Sequence, residues 1–430
     1  MSTERRVAIT GIGLLTPLGI GTEETWQGLL GARSAVGPMK TYDASSLKTQ
    51  LGAEIVDLDA KQFVNRRSLR TMTRYDMLAA VAAAMAVKDS GWELGEEGDP
   101  DGRAALFTAG GKEISKPEHF EEIAVTVRDA EGHVDMRQFG TVASSSVHPL
   151  FFIEGLQGAS LFYISEAYGL KGPNTYFAGT AEAGLTAIAR AAASIRRGES
   201  DVAVAGGADA PVSWWNMAKI DSLGVTTRSN ELGAAACRPF DSARDGTVMG
   251  EGGVFVVLEE VGAARRRDAR IYAELTASGA ATDVDRLLTP DPQGRALAHA
   301  MGAALSGAEA SAGDVDYVAA HGNGTRLGDA SEAAALRAVF GKGDGSPSVS
   351  SVKPATGHLG AGAGALNLAV AALAVHHGQV PPTLNLTTLD AGCEGIDLVS
   401  GEARAAPIRQ ALAVARGLEG QNVALAVRGV

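Results

Sequence analysis

The 430-residue chain has only two cysteines. Cys237 and Cys393 stand far apart and outside any CxxC spacing, which suggests neither a disulfide framework nor a zinc site. Both read as small buried residues, and no metal or cofactor is expected. The chain also has no run of 18 apolar residues, and its start, MSTERRVAIT, has neither a signal-peptide core nor an Arg- and Ser-rich transit pattern. A cytoplasmic protein that does not enter membranes is the expectation. A net charge of −12 leaves no broad basic face, which argues against nucleic-acid binding. One local exception is NRRSLRTMTRYD, where Arg66, Arg67, Arg70 and Arg74 fall at helical spacing. These four read either as a solvated helix face or as a docking patch for an acidic partner.

What is present is the composition of an ordinary soluble globular protein: 45% hydrophobic and 20% charged residues, in a chain long enough for two to three average domains or for one large α/β unit built from two halves. The halves show as echoes. In GLTAIARAAASIRRGESDVAVAGGAD, Leu185, Ile188, Ala192 and Ile195 follow helical spacing, Gly198 stops the helix, and Val202 to Ala205 read as a buried strand. In GHLGAGAGALNLAVAALAVHHGQVPPT, a glycine-rich turn opens a helix that is apolar nearly all round and ends at Gly378 and Pro381. Both helices are expected to be buried. A helical pattern from Tyr75 to Trp92 precedes a strand at Ala104 to Thr108, just as one from Gly294 to Glu309 precedes a strand at Val315 to Ala319. Strands alternating with helices predict a mainly parallel sheet covered on both faces. Two such halves, 1–260 and 261–430, sharing a central pair of buried helices would make a five-layered α/β/α/β/α body.

Several segments could carry chemistry. TGIGLLTPLG follows a strand signal, but Thr16 replaces the third glycine of a dinucleotide loop and no acidic ribose ligand follows, so it reads as a strand-to-helix turn. FAGTAEAGL runs from a strand into a helix mouth, the place where a chain presents a nucleophile, yet it presents the methyl of Ala181. His321, in YVAAHGNGTRLGD, and His358, in SSVKPATGHLGAGAG, both follow strands, with Lys353 five residues before the second. Two imidazoles so placed can donate to one oxygen and stabilise an enolate or oxyanion. His376 and His377 sit at a helix end, where cationic groups meet the dipole.

Taken together, VAITGIGLLTPLG, YGLKGPN, AGLTAI, IRRGESDVAVAGGADAPV, RPFDSARDGTVMGEGG, HGNGTRLGD and VKPATGHLGAGAG resemble the β-ketoacyl synthases of the thiolase superfamily over essentially the whole chain. The resemblance implies the thiolase fold, an acyl carrier protein as partner, and a catalytic set in which Ala181 stands at the nucleophilic cysteine, His321 and His358 at the histidines and Lys353 at the lysine. No thioester can form on a methyl. Glu182 follows where active members carry small uncharged residues, and AVARGLEGQNVALAV places Arg416, Leu418 and Glu419 where a phenylalanine-gated, glycine-rich loop is usual. These departures, with the aromatic segment HPLFFIEGLQGASLFYIS, resemble the chain length factors of type II polyketide synthases, which pair with an active ketosynthase to form a heterodimer. On that resemblance Phe151, Phe152, Phe162, Tyr163 and Leu418 would line a substrate tunnel or the subunit interface, and the Arg66 to Arg74 group would dock the carrier protein. Chain length factors of the aromatic-polyketide type generally lack the two histidines, which this chain keeps. Two further readings stay open: a malonyl-carrier decarboxylase, which usually carries glutamine at the nucleophile position, and an alanine-substituted form of an active condensing enzyme.

Overall fold

The computed structural model describes residues 5–93, 99, 101–111, 117–284, 286–343 and 345–430. Strands from both halves join in one twelve-stranded sheet. The first half contributes, from the edge inward, Asn174–Ala178, Ala104–Gly110, Val202–Asp209, Gly252–Glu260 and Val7–Thr16, with the short Gly19–Ile20 paired to the last. The second contributes, from its edge inward, Asp397–Leu398, Ser348–Ser350, Tyr317–Ala319, Gln410–Arg416, Gln421–Arg428 and Ala273–Thr282. The halves meet through three residue pairs, Val7 with Leu275, Ala8 with Glu274 and Ile9 with Ala273.

The mainly parallel sheet expected from the alternating pattern is corrected here. Strands near the two edges are parallel, whereas those toward the centre are antiparallel. For one of these pairs connection length is the reason. Only residues 417–420 separate Gln410–Arg416 from Gln421–Arg428, enough for a hairpin and far too few for a crossover.

Helices complete five layers. Arg74–Ser90 covers the outer face of the first half and Arg295–Gly307 that of the second, with Arg326–Phe340 beside the latter. Between the halves lie Ala181–Arg196 and Gly362–His377, which pack on each other and on strands of both halves. Every residue from Gly362 to Ala374 is buried, which is why that sequence is apolar all round. One continuous apolar cluster joins Ile9, Val254 and Ala203 of the first half to Ala413 and Leu425 of the second through these helices. No helix among the described residues is long and apolar enough to cross a membrane.

Glycines set the spacing of the layers. A Cβ on Gly11 would lie 2.3 Å from the Ala86 carbonyl oxygen, and one on Gly13 would lie 2.1 Å from that of Ala82. The TGIG segment therefore serves to seat a helix on a strand. In the middle layer a Cβ on Gly184 would lie 2.3 Å from Ala361 O, and one on Gly364 would lie 2.1 Å from Ala181 O. The central helices touch backbone to backbone at the mouth of the elbow. Gly364→Val should push them apart and destabilise the fold by about 3 kcal/mol, read as a lower midpoint in urea unfolding; an unchanged midpoint would mean the contact is dispensable.

Candidate active site

The strand Asn174–Ala178 ends at the elbow, Gly179 and Thr180 turn the chain, and Ala181 is the first residue of the central helix, fully buried. Glu182 folds back over this turn. Its carboxylate accepts the Thr180 backbone N–H at 3.2 Å and the Thr180 hydroxyl at 2.9 Å. A Cβ on Gly179 or Gly417 would lie within 2.5 Å of its oxygens, so the group is wedged between the elbow and the hairpin turn. Burial raises its pKa, opposed by the Thr180 hydrogen bonds, and Glu419 nearby adds to the rise.

The histidines come together as expected. His321 and His358 present their rings nearly edge to face, 5.7 Å between centroids, on one cavity of about 790 Å³. Each ring is oriented by a backbone N–H donating to Nδ1, from Arg416 at 3.4 Å for His321 and from Gly360 at 3.1 Å for His358. That leaves the proton of each neutral ring on Nε2. Both rings are held neutral: burial, followed by the Lys353 charge, pushes His321 well below its ordinary value and His358 down to about 3.

Lys353 lies beneath them, buried at the start of a one-turn helix, with its ammonium donating to the His321 carbonyl oxygen. Burial brings its pKa down to about 8. Glu332 completes the support by accepting the backbone N–H groups of His321 and Gly322, each at 2.7 Å. Sequence reading passed over Glu332. Its signal was a carboxylate among alanines, in ASEAAAL, on the apolar face of the helix Arg326–Phe340.

Among the other expected site residues, Leu418 lines the cavity together with Arg416, Gly417 and Glu419. Arg416 is nearly buried, paired with Asp283 at 2.6 Å and bonded to Ser331 Oγ at 3.0 Å, so its charge is spent on the fold. Neither Ala181 nor any of Phe151, Phe152, Phe162 and Tyr163 is among the lining residues. Phe152 and Phe162 are 77% and 65% exposed, Phe151 is partly buried, and Tyr163 is buried with its hydroxyl on Thr71 Oγ1 at 2.8 Å.

The expected arginine helix is a correction. Ser68–Arg70 forms a short 3₁₀ turn and the α-helix begins at Arg74, because Thr73 and Asp76 form a capping box there. Arg66, Arg67 and Arg70 are exposed. Arg74 instead binds Glu251, at 3.0 Å and 2.6 Å, and the Ile55 carbonyl oxygen at 2.6 Å, which makes it a structural residue.

These residues match a known family. The model for the N-terminal domain of β-ketoacyl synthases matches residues 4–264 and that for the C-terminal domain residues 272–387. The chain belongs to the β-ketoacyl synthase family and has its thiolase-like α/β fold. It is 33% identical to 3-oxoacyl-[acyl-carrier-protein] synthase 2 of Coxiella burnetii, over 99% of each chain. It is 34% identical to a putative polyketide β-ketoacyl synthase 1 of Streptomyces halstedii, over 99% of this chain and 98% of the relative. Among solved structures it is similar to the ishigamide ketosynthase/chain length factor, with TM-score 0.86, 28% identity and full coverage of both chains. It is also similar to a β-ketoacyl synthase from Burkholderia phymatum, with TM-score 0.86 and 31% identity over 99% of this chain and all of the other.

A neutral native imidazole has a measurable consequence. His358 ordinarily titrates near 6.5 and here near 3, so between those values the unfolded chain binds a proton that the native chain does not. Native stability from this residue is present above pH 6.5 and is lost as the pH falls toward 3. Relative to the parent, His358→Asn should gain up to about 1.4 kcal/mol per pH unit on acidification below 6.5, measured by urea unfolding at several pH values. Parallel curves would show that His358 is already charged in the native state.

Proposed function

We propose that this chain is the chain-length-factor-like subunit of a β-ketoacyl synthase heterodimer, which elongates a carrier-bound polyketide chain on the cysteine of an active ketosynthase. One observation carries the reading: the elbow is complete, but its first helical residue, fully buried, is Ala181 and the next carboxylate folds back over the turn. A thiolate at a helix mouth is stabilised by the exposed N–H groups, and the methyl has no such role. Glu182 is also the wrong charge beside an anionic extender unit.

Assembly is supported by the rim of the first half. Asn174–Ala178 is an edge strand, the helix Ala159–Tyr168 packs beside it, and Phe162 of that helix, like Phe152, is exposed. An open edge with exposed aromatics is suited to an obligate interface, which typically buries on the order of 2,000 Å² or more. We assign Phe151, Phe152 and Phe162 to that interface, Leu418 to the cavity wall, and Arg66, Arg67 and Arg70 to carrier-protein docking. The ishigamide structure, a ketosynthase with a chain length factor, supports the pairing.

A second reading is favoured by the intact histidine pair. Two neutral Nε2–H donors can hold the thioester oxygen of a malonyl group while its C–C bond breaks. Carbon dioxide then leaves, the electron pair forms an enolate, and a proton from water gives the acetyl thioester. This needs no cysteine.

The test compares the chain alone, an active ketosynthase alone, and both together, with malonyl-carrier protein as extender. The heterodimer reading expects a stable complex, condensation only by the pair, weaker assembly in Phe162→Glu, and product formation within about tenfold of the parent pair in His321→Ala. Carbon dioxide release by the isolated chain that disappears in His321→Ala would favour decarboxylation. Condensation by Ala181→Cys without a partner would make the chain an altered condensing enzyme.

A further inference from the structure

Outside the cavity, three side chains from separate elements converge. His119 lies on the helix Glu118–Thr126, His148 in the turn after the helix Met136–Ser146, and Glu154 at the end of the short helix Phe151–Glu154. One ligand atom from each lies within 4.8 Å of the other two. His119 Nδ1 is 3.3 Å from Glu154 Oε2, and the two imidazoles stack with centroids 4.3 Å apart and planes at 16°. None of the three lines the cavity.

We propose that His119, His148 and Glu154 bind a divalent transition-metal ion of the zinc type. Ligand chemistry supports it: two imidazoles and one carboxylate are a common donor set for such ions. Geometry supports it as well. Metal bonds of about 2.0–2.2 Å at a tetrahedral angle place ligand atoms roughly 3.3 Å apart, the separation found between His119 and Glu154. His148 is exposed and closes the remaining gap by turning about its side-chain bonds, giving up a long contact, 3.3 Å, from the Leu150 N–H to its Nδ1.

An ion pair between His119 and Glu154 would account for two of the residues. It would not account for the second imidazole, whose ligand atom also comes within 4.8 Å of both. A metal takes both rings as neutral donors and the carboxylate, whose side chain is only 2% exposed, as an anionic one. Cysteine counting could not find this site, because its ligands span 36 positions and include none. It supplies the metal site that the composition gave no reason to expect.

The ion would act as a brace. Glu118, next to His119, accepts the Trp214 indole N–H at 2.8 Å, and the helix Trp214–Leu223 contributes Asn216, Lys219, Ile220 and Leu223 to the cavity wall. Tying the 118–154 segment together therefore steadies one side of the cavity.

The full chain, stripped with a chelator, is titrated with Co²⁺ and then Zn²⁺. One Co²⁺ per chain with visible ligand-field bands, displaced by Zn²⁺, is expected, along with a higher thermal midpoint in Zn²⁺. His148→Ala, at an exposed position that leaves the fold intact, should weaken binding at least as much as the about 10–100-fold that loss of an outer-shell partner costs. The doubly substituted His376→Ala, His377→Ala chain should bind as the parent does. Absence of the bands, binding unchanged in His148→Ala, or binding lost in the His376/His377 variant would overturn the proposal.

Discussion

The two central helices meet backbone to backbone, and the rest of the molecule is arranged around that contact. Gly184 and Gly364 leave no room for a side chain between Ala181, Ala361 and the opposing helix. Because both helices also pack on strands of both halves, their separation fixes the distance between the two halves of the sheet. It also fixes the place of the elbow relative to the loops that carry His321 and His358. A small residue at 181 is thus compatible with packing whether or not chemistry is done there, and the elbow persists as part of the core.

The second constraint is electrostatic. Lys353, Glu332, Asp329 and Asp209 are all buried near the cavity, and isolated charges there would be costly. The chain spends them on backbone groups: Lys353 on the His321 carbonyl, Glu332 on two amide N–H groups, and Asp329 on the N–H groups of Phe240 and Gly324. The loop carrying His321 is held from beneath, while each imidazole is held by an amide donating to its Nδ1. Hydrogen bonds to the fixed side of each ring decide which nitrogen keeps its proton. This arrangement stands beside an elbow whose first helical residue is Ala181.

The hairpin turn that follows Arg416 links the elbow to the cavity. Arg416 is neutralised by Asp283, Leu418 faces the cavity, and the Leu418 N–H reaches Thr180 Oγ1 at 3.3 Å. Glu182 fills the space between this turn and the elbow. Ala181, Glu182 and this turn thus form one contiguous region, joined to the histidines through the Arg416 N–H and the shared cavity.

Much of this was written in the sequence. Helical periodicity with glycine stops located the two central helices, and long ordered motifs gave the family, the histidine pair and the position of Ala181. These are local patterns, set by side-chain spacing and backbone requirements along one stretch of chain. The tertiary structure decided what depends on contact between distant segments. It turned an apparent arginine helix into a capped turn with Arg74 committed to Glu251, placed Phe152 and Phe162 on the surface away from the cavity, and set antiparallel strands at the centre of the sheet. It brought Glu332 beneath His321 and Glu154 to His119. A side chain's partner across 10 to 200 residues is chosen by packing, and periodicity along the chain holds no record of that choice.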